Sequence, residues 1–519
     1  MNGHLRANGQ GASVAENPLL QPWTAPFETP PFEAITTEHF RPAFDHALAA
    51  HRAEIDAIQN DPAEPSFDNT IAALELAGTP LSRVASVFFN LTGSHTNDAL
   101  EAIERAMAPI LSKHRSAIYL SEALFSRVDR LKQRQAELGL SPEQSRVLDR
   151  YHTVFVRQGA ALPEARKKRL AAISERLAAL GTQFGQNMLA DEKAYALVLE
   201  TPADRAGLPD FLLESAARAA ADRGLTGKHV ITLSRSSIEP FLQFSSRRDL
   251  REAAFRAWSA RGEAKPETDN RPIIAQTVAL RAERARLLGY DTFARYRLDD
   301  TMAKTPEAAL DLLHSVWRPA RRKAGQDQDA LQALAQSEGG NFEFAPWDWR
   351  YYSELRRKAE FDFDESQIKP YFQLERMIEA AFYTAGHLFG LTFAERTDIP
   401  LYHLDVRAWE VTGADGRHVG LFLGDYFARP SKRSGAWMSG FRGQEKLARD
   451  IRPIIVNVMN FSRSGENEPA LLSFDDARTL FHEFGHALHG LLSDVTYPMI
   501  AGTGVSRDFV EFPSQLFEH

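Results

Sequence analysis

The chain has 519 residues, of which 44% are hydrophobic and 25% are charged, with a net charge of −8 and no cysteine. This composition is typical of a folded globular protein, and the length allows either several domains or one large unit. The acidic balance argues against a nucleic-acid partner. Without cysteine, the sequence excludes disulfides, a thiol nucleophile and a cysteine-ligated zinc site.

The first 17 residues are polar and rich in glycine. We expect a disordered tail at 1–17, because this segment lacks the apolar stretch of a signal peptide. No later run reads as long enough for a membrane span, and the most apolar stretches, such as 453–461, are the size of strands. The sequence therefore predicts a cytoplasmic protein with no membrane partner.

Helical apolar spacing dominates the next part of the chain, up to about residue 240. The spacing predicts helices at 36–60, 68–77, 80–91, 97–117, 121–137, 141–158, 163–190 and 208–223. Two short segments rich in β-forming residues, 194–200 and 229–233, are expected to pair as strands. We therefore expect a helical N-terminal region over 18–240, with its boundary near 235–245.

The second half of the chain begins with helical patterns and then changes character. Helices are predicted at 247–261, 271–288, 305–336, 350–358 and 373–390. Strand signals are concentrated between 407 and 461. We expect 241–519 to form a second region, in which a small sheet precedes the most informative segment of the sequence.

That segment is HEFGH at 482–486. On an α-helix, His482 and His486 point from one face and can bind one metal ion. Glu483 lies beside them, where it can act on a water molecule. Ser473, with an acid three residues later, resembles a capping box and marks the start of the helix. The competing interpretation is a pair of core histidines and a solvated glutamate, and it accounts for fewer of these residues.

Three acids that follow the motif are candidates for a third ligand: Asp508, Glu511 and Glu518. Asp508 and Glu511 are three residues apart and share a helix face, so one can bind the metal while the other steadies a ligand histidine through its free ring nitrogen. Spacing alone does not choose among the three. His489 lies on nearly the same face as His482, and we expect it to support the ligands or to pack as a hydrogen-bonded histidine.

The stretches HEFGHALHG at 482–490 and RDFVEFPSQLFEH at 507–519 closely resemble the thimet oligopeptidase family of zinc metallopeptidases. Within that family, the sequence is most similar to the bacterial peptidyl-dipeptidases, also called dipeptidyl carboxypeptidases. The resemblance covers roughly 18–519. Shorter matching segments lie at 42–45, 86–89, 346–349, 369–372 and 435–438.

The resemblance implies one zinc ion per chain, bound by His482, His486 and Glu511, with Glu483 as the catalytic acid and base. It also implies a mainly α fold with a small β-sheet near the metal, built as a two-lobed zincin with a deep channel. Such a channel admits short peptide substrates, and the implied reaction releases dipeptides from their C-termini. The alternatives are an endopeptidase of the oligopeptidase type and an inactive remnant that binds metal or peptide. We expect a monomer.

Residues 417–441 are a candidate substrate edge. The pattern predicts a strand at 419–427, a basic loop, and a possible second hairpin strand at Gly435, Ala436 and Trp437. A peptide can add to such an edge through main-chain hydrogen bonds. The alternative is an ordinary turn, and the family resemblance favours the substrate edge.

The chain ends at His519, eight residues after Glu511. In the resembled family, the helical segment continues to a motif whose His and Tyr side chains bind substrate and stabilise the oxyanion. The resemblance therefore implies that the catalytic region is incomplete at its C-terminus. We expect the 519-residue form, expressed alone, to be poorly soluble or nearly inactive.

Overall fold

The computed structural model describes residues 16–362, 365–463 and 468–519. Most of the predicted tail therefore lies outside the described residues. Asn17 is already attached to the fold, because its side-chain amide donates to the carbonyl of His39 at 2.8 Å and its Oδ1 accepts from the N–H of Leu19 at 3.0 Å.

The fold is mainly α with two small sheets, as predicted. The described α-helices are α1 Thr37–Gln59, α2 Ala73–Leu76, α3 Thr79–Ser94, α4 Asp98–Tyr119, α5 Glu122–Gln133, α6 Pro142–Gln158, α7 Glu164–Ala194, α8 Asp210–Ala221, α9 Arg235–Phe244, α10 Arg248–Ser259, α11 Arg271–Leu287, α12 Phe293–Leu298, α13 Pro306–Ser337, α14 Trp349–Phe361, α15 Glu365–Ile368, α16 Leu374–Phe389, α17 Phe474–Leu491 and α18 Glu511–Phe517. The described strands are β1 Leu197–Val198, β2 Val230–Ile231, β3 Thr392–Glu395, β4 Val406–Thr412, β5 His418–Phe427, β6 Trp437–Arg442 and β7 Ile454–Phe461. The predicted pairing of 194–200 with 229–233 is confirmed, since β1 and β2 are antiparallel.

The larger sheet has the strand order β3-β4-β5-β7-β6, and helices cover both of its faces. Side chains of a strand point alternately to opposite faces. Leu421 and Leu423 of β5 accordingly pack with α1 and α3, whereas Phe422 packs with α16 and α17. Burying one such side chain contributes about 1.5–3 kcal/mol. The sheet therefore joins the N-terminal helices to the helix that carries the HEFGH motif.

The predicted hairpin between 419–427 and 435–437 is wrong. Strand β7 lies between β5 and β6, parallel to β5 and antiparallel to β6. Nearly every residue of β7 is buried, which suits a central position, whereas β6 is half-buried and forms the edge. The loop between β5 and β6 therefore crosses to the far edge of the sheet.

Helix α9 occupies the predicted boundary near 235–245. Its buried residues Ile238 and Phe241 pack with Leu212 of α8 and Ala254 of α10 in one core. The sequence pattern missed this helix because it is short and contains Pro240. The predicted division between residues 240 and 241 thus falls inside a helix.

One helical stretch, Phe67–Ser94, has the length and apolar character that a membrane span requires. This stretch contradicts the expectation that no run in the chain is long enough for a span. The stretch turns at Gly78, whose φ is +78°, and its side chains Val84, Val87 and Phe88 are fully buried in the core against the sheet. Packing in the core therefore accounts for its apolar character.

Candidate metal centre

Helix α17 begins at a capping box and buries one face. The Ser473 hydroxyl accepts from the N–H of Asp476 at 3.0 Å, and the Asp476 carboxylate accepts from the N–H of Ser473 at 3.0 Å. Phe484 and Leu488 pack into the core beneath the sheet. Because these apolar positions fix the rotation of the helix, the histidines of the motif point away from the core.

The ligand atoms of His482, His486 and Glu511 all lie within 4.8 Å of one another. Glu511 Oε2 is 3.3 Å from His482 Nε2 and 3.1 Å from His486 Nε2. The histidines are partly buried and Glu511 is exposed. Two imidazole nitrogens and one carboxylate oxygen that converge on one accessible point are the ligand set of a catalytic zinc. The side chains present therefore fit such a metal.

Glu483 is buried, with 7% of its surface exposed, and it does not belong to the three-residue ligand cluster. Burial raises the pKa of its carboxyl group to about 7; the positive charge of His482 opposes this rise and the negative charge of Glu511 adds to it. A carboxyl group with that pKa can both accept and release a proton near neutral pH.

Glu518 steadies one of the ligand histidines. Its Oε2 is 2.8 Å from His482 Nδ1, and its Oε1 accepts from Arg478 Nη2 at 2.9 Å. The hydrogen bond with His482 lowers the pKa of Glu518. A hydrogen bond at Nδ1 leaves Nε2 free to bind a metal. Glu518 had been a ligand candidate, and its position two helical turns after Glu511 could have indicated this supporting role.

Asp508 does not contact the ligand histidines, contrary to the sequence expectation that it supports them. Its carboxylate accepts from the backbone N–H groups of Met302 at 3.0 Å and Ala303 at 2.9 Å. The bond from Met302 is the main reason that the pKa of Asp508 is lowered. Asp508 therefore attaches the segment before α18 to the loop before α13.

His489 is also outside the ligand cluster. Its Nδ1 is buried and has no hydrogen-bond partner among the described residues, so the hydrogen bond expected for this histidine is not seen at that atom. Burial lowers its pKa. His489 is therefore a partly buried histidine that packs against its neighbours.

The fourth residue of the motif allows α17 and α18 to approach closely. A Cβ at Gly485 would lie 2.7 Å from Ser514 Cα and 2.8 Å from Pro513 O. Real side chains do not approach a backbone so closely, so any larger residue would push the helices apart. The sequence alone indicates no role for this glycine, because only the contact between the two helices reveals one.

The candidate substrate residues lie where edge strand β6 begins. Gly435 has a φ of +97°, Ala436 follows it, and Trp437 is the first residue of the strand. Farther along, the carbonyl of Gly440 accepts from Asn90 Nδ2 at 3.0 Å, so α3 covers that part of the edge. At the start of the strand, the carbonyl of Gly435 accepts from Asn460 Nδ2 at 2.7 Å, and Trp437 packs against the core.

Comparison with known proteins identifies the family. The profile described as Peptidase family M3 matches residues 241–519. The chain is 44% identical to the dipeptidyl carboxypeptidase of Escherichia coli (strain K12) over 504 residues, which are 97% of this chain and 74% of that protein. It is 43% identical to the Salmonella typhimurium dipeptidyl carboxypeptidase, covering 98% of this chain and 74% of that protein. It is 32% identical to the Salmonella typhimurium oligopeptidase A, and the match covers 97% of this chain and 74% of that protein.

The profile thus matches more than half of the chain, and the similarity to known peptidases extends over nearly all of it. The chain belongs to peptidase family M3, a family of metallopeptidases, and it is a peptidase.

Proposed function

We propose that this peptidase binds one zinc ion through His482, His486 and Glu511 and releases dipeptides from the C-termini of short peptides. The observation that carries the metal assignment is the convergence of these three side chains within 4.8 Å. The reaction is supported by 44% identity to a protein named dipeptidyl carboxypeptidase. A monomeric state and a cytoplasmic location are part of the same proposal and rest on the sequence alone.

The chemistry divides among the residues of the site. When bound, zinc supplies the Lewis acidity that activates a water molecule and polarises the scissile carbonyl. Glu483 removes a proton from the attacking water and delivers it to the nitrogen of the departing amine. Glu518, itself bonded by Arg478, holds the ring of His482 in a fixed orientation. This route needs no covalent intermediate, which agrees with a chain that has no cysteine.

We further propose that the peptide backbone pairs with the start of β6 at Gly435, Ala436 and Trp437. A chain that adds to a sheet edge gains main-chain hydrogen bonds that do not depend on its sequence. All of these residues and all of the metal ligands lie within 241–519. We therefore propose that this region is the catalytic part, with the helices of 18–240 packed against its sheet.

Product analysis by mass spectrometry tests the type of cleavage. The zinc-loaded chain is incubated, at high concentration and for a long time, with one peptide bearing a free C-terminal carboxylate and the same peptide amidated. We expect the first to lose two residues at a time and the second to remain intact. Internal cleavage of both peptides would instead identify an endopeptidase.

The Glu483→Gln variant, treated identically, is the control for contaminating peptidases. Products that persist with this variant would not come from the proposed site. A zinc-loaded chain that forms no product from either peptide would identify a protein that binds metal without catalysis.

A further inference from the structure

A cavity lies between α4, α6, α7, α11 and α12. None of these helices carries a proposed metal ligand. Its volume is about 300 Å³. That is at the lower end of the range for small-molecule sites. Its size alone therefore permits a small ligand, and its lining indicates which kind.

Three arginines line this cavity, Arg115, Arg284 and Arg297, and no aspartate or glutamate is among the lining residues. This local excess of positive charge contrasts with the net charge of −8 of the whole chain. Arg115 and Arg297 are exposed and Arg284 is half-buried, so an anion can reach all three from solvent and is attracted by each of them.

The guanidinium groups retain free donors. Arg284 Nη2 donates to Gln158 Oε1 at 2.9 Å and is 3.4 Å from the hydroxyl of Tyr296, which holds this side chain in place. Among the residues that the structure describes, neither Arg115 nor Arg297 forms an ion pair. An arginine has five N–H donors in a planar arrangement that matches a phosphate or carboxylate.

The cavity is also lined by hydroxyl groups and apolar side chains. Ser112, Ser116 and Ser174 supply hydroxyls that can donate to an oxyanion. Leu170, only 2% exposed, and Phe293 form part of the apolar surface. The lining therefore suits a ligand with an anionic head group and an apolar or aromatic body.

Another cavity, which shares no lining residue with this one, shows why arginines without an ion pair are informative. It is lined by Arg429 and Lys432 among other cations. Both of these bind the buried carboxylate of Asp425, at 2.6 and 2.7 Å. Glu192 and Asp222 also line that cavity, so the protein itself supplies negative charge beside these cations.

We propose that the cavity lined by Arg115, Arg284 and Arg297 binds a small organic phosphate. The phosphate lies against the guanidinium groups and the serine hydroxyls, and the body of the ligand contacts Leu170 and Phe293. A doubly charged phosphate balances three positive charges better than a single carboxylate does. This site is separate from the metal centre and independent of the proposed peptidase reaction.

Calorimetric titration of the metal-free full chain with AMP tests the proposal. Removing the metal ensures that phosphate does not bind at the peptidase centre. We expect AMP to bind one site per chain, adenosine not to bind, and inorganic phosphate to bind more weakly than AMP because it lacks the apolar body. Added salt should weaken AMP binding, because the attraction is electrostatic.

Arg115→Ala and Arg297→Ala should each weaken AMP binding about tenfold, the usual effect of losing a hydrogen bond to a charged group. Neither substitution breaks an ion pair that the described structure contains, so the fold should persist in both. Arg146→Ala, at an exposed arginine of α6 outside the cavity, is the matched control and should bind AMP normally. Absence of AMP binding, equal binding of adenosine, or unchanged affinity in both arginine variants would overturn the proposal.

Discussion

The two helices that carry the proposed metal ligands differ in what holds them in place. Helix α17 has 18 residues, a side-chain cap and a buried apolar face, all encoded in its own sequence. Helix α18 has 7 residues and no side-chain cap, and its only buried residue is Ser514. Its position depends on contacts with distant parts of the chain, through Asp508, Glu518 and the close approach at Gly485.

This difference means that two ligands are positioned locally and the third is positioned by tertiary contacts. A local change in α17 should remove a ligand without moving the others. A change at the junction between α17 and α18 should move Glu511 and leave both histidines in place. The following variants separate the two cases.

The largest effect is expected when α17 loses a ligand. His486→Ala should release the metal, because two protein ligands rarely hold zinc against dilution. Metal analysis after dialysis checks this, and His489→Ala on the same helix is the control that should retain zinc. One tightly held zinc per chain in His486→Ala would show that the metal is bound elsewhere.

Glu483→Gln should retain the metal and lose turnover. Loss of a positioned acid and base typically lowers the rate by about 10²–10⁴-fold. The measurement combines zinc content with the rate of product formation, determined by mass spectrometry on the same preparation. Turnover within a few fold of the parent chain, with normal zinc content, would assign the proton transfer to another group.

Glu518→Gln tests the contact from α18 back to α17. The amide is neutral and holds the ring of His482 less firmly, so zinc affinity should fall by about 10–100-fold. Competition with a chelating dye measures the affinity directly, without any need for turnover. Asp475→Asn is the matched control, because its exposed carboxylate pairs with Arg235 of α9 rather than with α18. Equal losses in both variants would argue against a specific role for Glu518.

The smallest of these effects is expected at the helix junction. Gly485→Ala places a methyl group against the backbone of Ser514, and such overpacking costs about 1–3 kcal/mol. The better helix propensity of alanine offsets up to about 1 kcal/mol. We expect lower stability in thermal unfolding and weaker zinc binding.

Gly181→Ala is the control for this substitution, because nothing lies within 4 Å of the added methyl group. Gly181→Ala should leave the stability unchanged or raise it slightly, since only the better helix propensity of alanine acts there. Similar behaviour of the two alanine variants would show that α17 and α18 tolerate separation.

The same contrast explains what the sequence could predict. Ser473, the apolar spacing of α17 and the pair of histidines are local signals, and the structure confirms both the helix and its capping box. The choice among Asp508, Glu511 and Glu518 depends on how α18 lies against α17. The spacing of these acids does not decide the choice, because no periodicity encodes the contact between the two helices. Only the family resemblance points to Glu511.

The prediction of the strand order was wrong for the same reason. The segments 419–427 and 435–437 are close in sequence and both favour strands, so a hairpin was the simplest prediction. A third strand, β7, follows them in the chain and pairs between them because its two apolar faces need cover on both sides. Helix α9 was missed because Pro240 resembles a break when its tertiary contacts are unknown.

The dependence of Glu511 on distant contacts has a consequence for synthesis on the ribosome. Glu511 follows His486 by 25 residues, so it leaves the exit tunnel after the sheet and α17 have been translated. A nascent chain that has exposed only HEFGH carries two of the three proposed ligands, and two protein ligands rarely hold zinc. Translation order thus places the third proposed ligand after both histidines, so the set of three is complete only once α18 can pack against α17.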